Sequence, residues 1–293
     1  MSKLIILGHT GYVGKNIFDY FSNVKRFESI KGFSSKEIDL RNKKNYHILK
    51  KEITTDTSLI ICAAIKSDNG NSLETFGDNI RIAENIALLL EEFNFQKIIV
   101  FSSNSVYGVY HKNKIINENT LPVLDTYYGL AKYMTENLFI LSANKYNSDK
   151  LVILRPSTIY GPGELIIPHT PSGFLKIYLS DKTVTLWGDG SELREFAFID
   201  DIVRFVRLIL DSDFSGIINI GGGEPRSYAD ALEIIKKLLN RNIKINSKKR
   251  TTEPVNKIYD ISLVKALFPH FKYTVLEKGL KLTYEKTKNL IEY

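Results

Sequence analysis

Tyr128 and Lys132 stand four residues apart in the string Tyr128-Gly129-Leu130-Ala131-Lys132. On a helix that spacing puts a phenol and an ammonium on one face, one turn apart. The cation favours the phenolate, bringing a group with an ordinary pKa of about 10 into useful acid–base range. The same spacing begins at Tyr46, Tyr110, Tyr146, Tyr178 and Tyr284, so spacing alone selects nothing. Position selects Tyr128, which opens a helix after a loop long enough to reach the carboxyl edge of a sheet. Just upstream, Phe101-Ser102-Ser103-Asn104-Ser105-Val106-Tyr107-Gly108 ends an apolar run. Hydroxyls there can bond a substrate oxygen and align its proton with the phenol.

Gly8-His9-Thr10-Gly11-Tyr12-Val13-Gly14 follows the first apolar run. At a strand–helix junction its first glycine permits a tight turn and its second admits a pyrophosphate to the backbone. The third lets helix and strand pack closely, and the helix N-terminus adds partial positive charge. A dinucleotide site is expected here. An NAD enzyme usually carries a carboxylate at the end of the second strand. This chain has Gly32-Phe33-Ser34-Ser35-Lys36 instead. Without that acid a 2′-phosphate is not repelled, and Ser34, Ser35 and Lys36 could bind one, which predicts NADP(H) over NAD(H). The alternative is a solvated turn in which Glu37 or another acid serves the ribose, and NAD(H) is the cofactor.

The elements that must position these groups alternate. Strands are expected over 3–8, 28–33, 37–40, 59–64, 97–102 and 151–154, and helices over 11–22, 73–93 and 126–146. Short β-rich runs separated by helices imply parallel strands with helical crossovers, a doubly wound α/β sheet. After Arg155-Pro156 the pattern turns irregular, with Gly and Pro clusters at 161–173, 188–190 and 221–225. We therefore expect a dinucleotide-binding domain over 1–163 and a smaller α+β lobe over 164–293, some of whose segments return to the first domain. Ligands of such folds bind at the carboxyl edge of the sheet.

Composition excludes several classes. The 293 residues are 43% hydrophobic and 25% charged, an ordinary globular balance. The single cysteine, Cys62, permits no intrachain disulfide and no cysteine metal cluster. No run approaches the roughly 20 apolar residues that span a bilayer, and Leu4-Ile5-Ile6-Leu7 is too short for a signal sequence. A cytoplasmic protein is expected, with no membrane partner. The net charge of +7 is spread over short runs such as Lys248-Lys249-Arg250, which read as solvated faces rather than a nucleic-acid surface. His9, His47, His111, His169 and His270 lack metal spacing, although His169 lies near the expected substrate loop over 163–173. Trp187 suits packing or stacking on a base equally well.

Together these motifs resemble the extended short-chain dehydrogenase/reductases of the NAD-dependent epimerase/dehydratase group, which act on nucleotide-linked sugars. The resemblance spans nearly the whole chain. It implies cofactor contacts at Gly8, Thr10, Gly11, Tyr12, Val13 and Gly14. Asp39 and Leu40 take the adenine side, and Ala63 and Ala64 the small-residue end of the fourth strand. Asn79, with Asn85, resembles the asparagine pair of the next helix, and Pro156 the strand that passes the nicotinamide. Ser103, Tyr128 and Lys132 resemble the catalytic triad, with Lys132 also on the nicotinamide ribose. Ser103, Asn104 and Ser105 take the substrate side, and Arg194 resembles the diphosphate-binding arginine of the second lobe.

Departures narrow the reaction. The 4,6-dehydratases of the group carry an Asp-Glu pair where this chain has Asn104 and Ser105, and neither can exchange protons with sugar carbons at neutral pH. A 4-keto-6-deoxy-sugar reductase, with hydride to C4 and the proton from Tyr128, is the first reading, on the expected NADP preference and the short chain. An NAD-dependent 4-epimerase is the alternative. A non-catalytic dinucleotide sensor is disfavoured because tyrosine and lysine are both present. Relatives pair through the helices at 73–93 and 126–146. Ile80, Ala87, Leu88, Met134 and Leu138 exceed what one buried face needs, so a homodimer is expected.

Overall fold

The computed structural model describes residues 2–65, 71–108, 115–164, 170–180, 182–242, 244–250 and 253–291. Tyr110, His111 and His169 lie outside the described residues. The chain begins with β1 (Lys3–Leu7), α1 (Tyr12–Val24), β2 (Ser29–Phe33), α2 (Tyr46–Lys50), β3 (Thr57–Ile61) and α3 (Leu73–Glu92). It continues through β4 (Lys97–Phe101), β5 (Ile115–Ile116), α4 (Tyr127–Ala143), β6 (Leu151–Pro156), β7 (Thr158–Tyr160) and α5 (Pro171–Leu179). Next come β8 (Val184–Trp187), β9 (Leu193–Phe198), α6 (Ile199–Leu210), β10 (Gly216–Ile220) and β11 (Pro225–Ser227). Last are α7 (Tyr228–Leu239), β12 (Ile245–Lys248), β13 (Ile258–Tyr259), α8 (Ser262–Leu267) and α9 (Leu276–Ile291).

Six strands form the main sheet in the order β10-β6-β4-β3-β1-β2, with β1/β2, β1/β3, β3/β4 and β4/β6 all parallel. Strand side chains alternate between faces. Ile5, Leu7, Leu59, Ile61, Ile98, Val100 and Ile153 join Ala83, Ile86 and Leu90 of α3 and Phe139 and Ala143 of α4 in one core. Their neighbours Leu4, Ile6, Ile60 and Ile99 are buried as well. Strands covered on both faces read as continuous apolar runs, which is why they stood out in the sequence.

The sixth strand is not the expected one. Residues 37–40 form no strand, because the Glu37 and Ile38 amides both donate to the Ser34 carbonyl in a tight turn. The sheet is completed instead by β10, from far along the chain.

The chain divides into two compact units. The first comprises Met1–Gly108, Leu121–Arg155 and Val203–Ile218, the second Val109–Thr120, Pro156–Ile202 and Asn219–Tyr293. The expected boundary at 163 thus moves to Arg155/Pro156, and the 203–218 segment returns to the first unit because it carries most of α6 and the sixth strand. The second unit holds the sheet β11-β9-β7 and the pair β12/β8. No helix among the described residues is long and apolar enough to cross a membrane.

Parallel register brings the strand ends to one edge. Leu7 pairs with Phe33 and with Ile61, and Ile61 with Val100. The residues just past them, Gly8, Ser34, Cys62 and Ser102, are laced by backbone bonds from Gly8 N to Phe33 O (2.7 Å), Cys62 N to Leu7 O (2.9 Å) and Ser102 N to Leu154 O (2.8 Å).

Candidate active site

At that edge β4 gives way to a single 3-10 turn over Asn104–Tyr107, capped by Ser103, whose Oγ accepts the Ser105 amide at 3.1 Å. The Ser103 hydroxyl lies 3.1 Å from Ser105 Oγ and 3.4 Å from Asn104 Oδ1. The expected substrate-side trio is therefore one hydrogen-bonded cluster. Helix α4 starts beside it. Thr126 Oγ1 accepts the Gly129 amide at 3.0 Å as N-cap, and Asn71 Oδ1 accepts the Tyr128 amide at 3.2 Å. A Cβ on Gly129 would lie 2.6 Å from the Ser105 carbonyl oxygen. Only glycine lets the first turn of α4, and Tyr128 with it, come so close to the serine turn.

Lys132 sits one helical turn below Tyr128 and is only 8% exposed. Its ammonium donates to the Phe101 carbonyl at 2.7 Å and lies 5.9 Å from the centre of the Tyr128 ring. Burial pushes the Lys132 pKa down to about 8, while the negative charge of Glu136 opposes the fall. Burial also pushes the Cys62 thiol up to about 12, so at neutral pH it is an uncharged neighbour of Lys132. The sign of the pH effect follows. Below about 8 Lys132 is an ammonium and stabilises phenolate; above it, that stabilisation is lost. The rate is expected to rise as Tyr128 ionises and to fall again once pH exceeds about 8, as a pH–rate profile at saturating cofactor would reveal. A rate still climbing from pH 8 to 10 would remove Lys132 from this role.

The glycine loop fits a dinucleotide. Gly8 has φ +85°, and a Cβ on Gly14 would lie 2.3 Å from the Gly8 carbonyl oxygen, so helix and strand meet as closely as the motif requires. Gly11 caps α1 without a side-chain acceptor, and the first turn holds no acid. A pyrophosphate thus meets no competing carboxylate at this positive helix end. Thr10 lies exposed within the loop, and Tyr12 and Val13 begin the helix.

Other expected cofactor residues act at one remove. Asn79 exchanges two hydrogen bonds with the backbone of Ile65, at 2.8 and 3.0 Å, and so fixes the segment that carries Ala63 and Ala64. Asn85 Nδ2 donates to Leu40 O at 2.7 Å. The Asp39 carboxylate is gripped by Arg41, which also reaches Asp78 at 3.1 Å. Ser35 and Lys36 are exposed, but Ser34 is buried, and its amide (2.7 Å) and hydroxyl both donate to the Glu37 carboxylate. These bonds hold the Glu37 carboxyl below the usual carboxylate range. A negative charge therefore stands at the end of β2 although no acid occupies the strand end itself.

In the second unit Arg194 donates to the Leu193 carbonyl at 2.9 Å, and its guanidinium carbon lies 5.4 Å from the centre of the Tyr228 ring. Glu192 lies between two cations, 3.4 Å from Arg194 and 2.6 Å from Arg250. Arg250 was hidden in the sequence, because the Lys248-Lys249-Arg250 run reads as solvated. Parallel pairing of β12 with β8 carries Lys248 opposite Trp187 and turns Arg250 onto Gly188 and Glu192. Trp187 stays 46% exposed beside Lys248, so it is not a core residue. The described residues contain no cluster of His, Cys, Asp and Glu suited to a metal.

Residues 4–221 match the NAD dependent epimerase/dehydratase family. The chain belongs to that family. An uncharacterized UDP-glucose epimerase of Bacillus subtilis is 26% identical over 95% of each chain. The UDP-glucuronate 4-epimerase of Thermodesulfobacterium geofontis is 27% identical over 92% of this chain and 83% of its own. Among solved structures, UDP-glucuronic acid 4-epimerase from Bacillus cereus, in complex with UDP-glucuronic acid and NAD, superposes with a TM-score of 0.79. It is 25% identical, over 98% of this chain and 99% of that one. Membership makes this chain an enzyme acting on nucleotide-linked sugars with a nicotinamide dinucleotide.

Proposed function

We propose that this enzyme is an NAD-dependent 4-epimerase of a UDP-linked hexose or hexuronic acid. The observation that carries the reading is the Tyr128–Lys132 pair on α4, braced against the end of β4 beside Ser103. Tyr128 takes the proton of the sugar hydroxyl and later returns it to the same oxygen. Ser103 aligns that oxygen, and Lys132 lowers the cost of the phenolate. Bound NAD supplies a hydride acceptor that serves again as donor. Gly8 to Gly14 would hold its pyrophosphate, Lys132 its nicotinamide ribose, and Asp39, Leu40, Ala63, Ala64 and Pro156 would border it. Arg194 and Arg250 give the second unit two cations suited to a diphosphate.

Two observations support epimerase over reductase. At the expected 2′-phosphate site of Ser34, Ser35 and Lys36 the Glu37 carboxylate accepts both polar hydrogens of Ser34, a charge that suits a ribose hydroxyl better than a phosphate. The Bacillus subtilis and Thermodesulfobacterium relatives, both named as epimerases, support the same reading. Replacing Glu37 with Ser is expected to improve NADP binding relative to NAD by about tenfold, about 1.4 kcal/mol, read from the two dissociation constants. An unchanged ratio would free Glu37 of this role.

A homodimer is part of the proposal. Of the residues expected at its interface, Ala87 is buried and Leu138 packs on the core, whereas Met134 is 43% exposed. Tyr127 (42%) and Leu141 (68%) lie seven residues either side of Met134 and complete an apolar strip on α4. Such a strip is self-complementary across a two-fold axis. Met134→Glu with Leu141→Glu should give monomers in sedimentation; dimers persisting in that variant would move the interface elsewhere.

The reading is tested by supplying UDP-glucose and UDP-glucuronic acid to the enzyme with NAD. The C4 epimer should form with no net change in nicotinamide absorbance. Stoichiometric NADPH oxidation by a nucleotide-linked 4-keto-6-deoxy sugar, with no epimer from either UDP-sugar, would establish the reductase instead.

A further inference from the structure

Beneath the Tyr128–Lys132 pair lies a buried polar network to which the reaction assigns no role. Glu136, one turn after Lys132 on α4, is 1% exposed, and Arg155, at the end of β6, is 3% exposed. Arg155 Nε donates to Glu136 Oε1 at 3.0 Å and Nη2 to Oε2 at 2.6 Å, a two-point pairing. The Ser102 hydroxyl also donates to Glu136 Oε1. Arg155 Nη1 bonds Tyr107 Oη at 2.9 Å.

The placement is what matters. Phe101 and Ser102 are consecutive at the end of β4. Phe101 is held by Lys132 and Ser102 by Glu136, so two α4 side chains one turn apart grip two adjacent strand residues. Ser103 lies between two anchored points, Ser102 on Glu136 and Tyr107 on Arg155. A buried ion pair is a poor way to stabilise a fold, since apolar residues of similar volume often do as well or better.

We propose that Glu136, fixed by Arg155, is a positioning residue for the Tyr128–Lys132 pair: through Ser102 it holds the end of β4 so that the neighbouring Phe101 carbonyl meets the Lys132 ammonium and favours its charged form. Of the groups that face Lys132, the Phe101 carbonyl is the one that favours the ammonium by direct contact. Cys62, at the end of β3, is a neutral thiol at working pH. Tyr128 is the phenol that Lys132 serves, and β4 offers only the Phe101 carbonyl. Arg155, from β6, is neutralised by Glu136 itself.

The rate consequence rests on the epimerase reading; the charge state of Lys132 does not. The test therefore follows Lys132 directly, by NMR of protein labelled with [13Cε]-lysine, the resonance being assigned by its loss in Lys132→Met. In the unaltered enzyme Lys132 should titrate at about 8. In Glu136→Gln the midpoint should fall by about one pH unit. With UDP-glucuronic acid as substrate, kcat should drop about tenfold at neutral pH, KM should stay within about twofold, and the acid limb of the pH–rate profile should move upward. The paired variant Glu136→Leu with Arg155→Met removes both charges and is expected to fold. It should keep the lowered midpoint, and it supplies the answer if Glu136→Gln proves unstable. A folded variant of either kind with Lys132 titrating as before and an unshifted rate profile would overturn the proposal and reduce the network to a structural brace. A lowered midpoint in an enzyme that turns over neither UDP-sugar would support the coupling while removing the epimerase reading.

Discussion

Tyr128→Phe is expected to lower kcat by about a thousandfold, about 4 kcal/mol of barrier, within the range of a lost general acid–base group. The substitution keeps the ring, and with it the contact to Lys132, whose ammonium lies 5.9 Å from the ring centre. It removes only the oxygen that carries the proton. Cofactor affinity should change little, because the pyrophosphate cradle from Gly8 to Gly14 is built by β1 and α1 and includes no part of α4. Fluorescence titration with NAD and a single-turnover assay would separate the two effects. Substantial turnover in the variant would mean that another group moves the proton.

The second large effect concerns a residue that carries no functional group. In Gly129→Ala the new methyl would fall 2.6 Å from the Ser105 carbonyl oxygen and 3.0 Å from Thr126 Oγ1. Both neighbours are short of room to yield, the first being backbone and the second the N-cap of α4. The start of α4 must then withdraw from the serine turn, taking Tyr128 away from Ser103. Misplacement of reacting groups by about 1 Å can cost a hundredfold in rate. Turnover is thus expected to fall about that far, with overpacking destabilising the fold by about 1–3 kcal/mol. Rate and thermal unfolding should be measured together. A variant that loses stability but keeps its rate would show that the close approach serves packing alone.

The legible parts of this molecule were those governed by local pattern. β1, β3, β4 and β6 read as continuous apolar runs because both of their faces are covered, and α3 and α4 read as the helical stretches between them. The Gly8–Gly14 loop and Tyr128–Lys132 could be named from the string because their spacing, once placed on elements, is the chemistry. What stayed hidden depends on pairs distant in sequence or on the direction of a single side chain. Residues 37–40 alternate like a strand, yet Glu37 folds back on Ser34 and places a carboxylate at the end of β2 that the string did not show there. β10 could not be assigned to the main sheet from its own residues, since its place is set by the return of the chain after the second unit. Glu136 looks like any charged residue in a helix until Arg155, 19 residues on, is found against it. Arg250 lies in a basic run that reads as solvated until β12 pairs with β8.

The most direct test of the central claim uses UDP-glucuronic acid carrying deuterium at C4. If the hydride leaves C4 and returns to it within one active site, the epimer should retain its deuterium, in the presence of excess unlabelled NADH as much as in its absence, and in proportion to the Tyr128-dependent rate. Epimer formed with hydrogen at C4, drawn from solvent or from the added dinucleotide, would contradict the account.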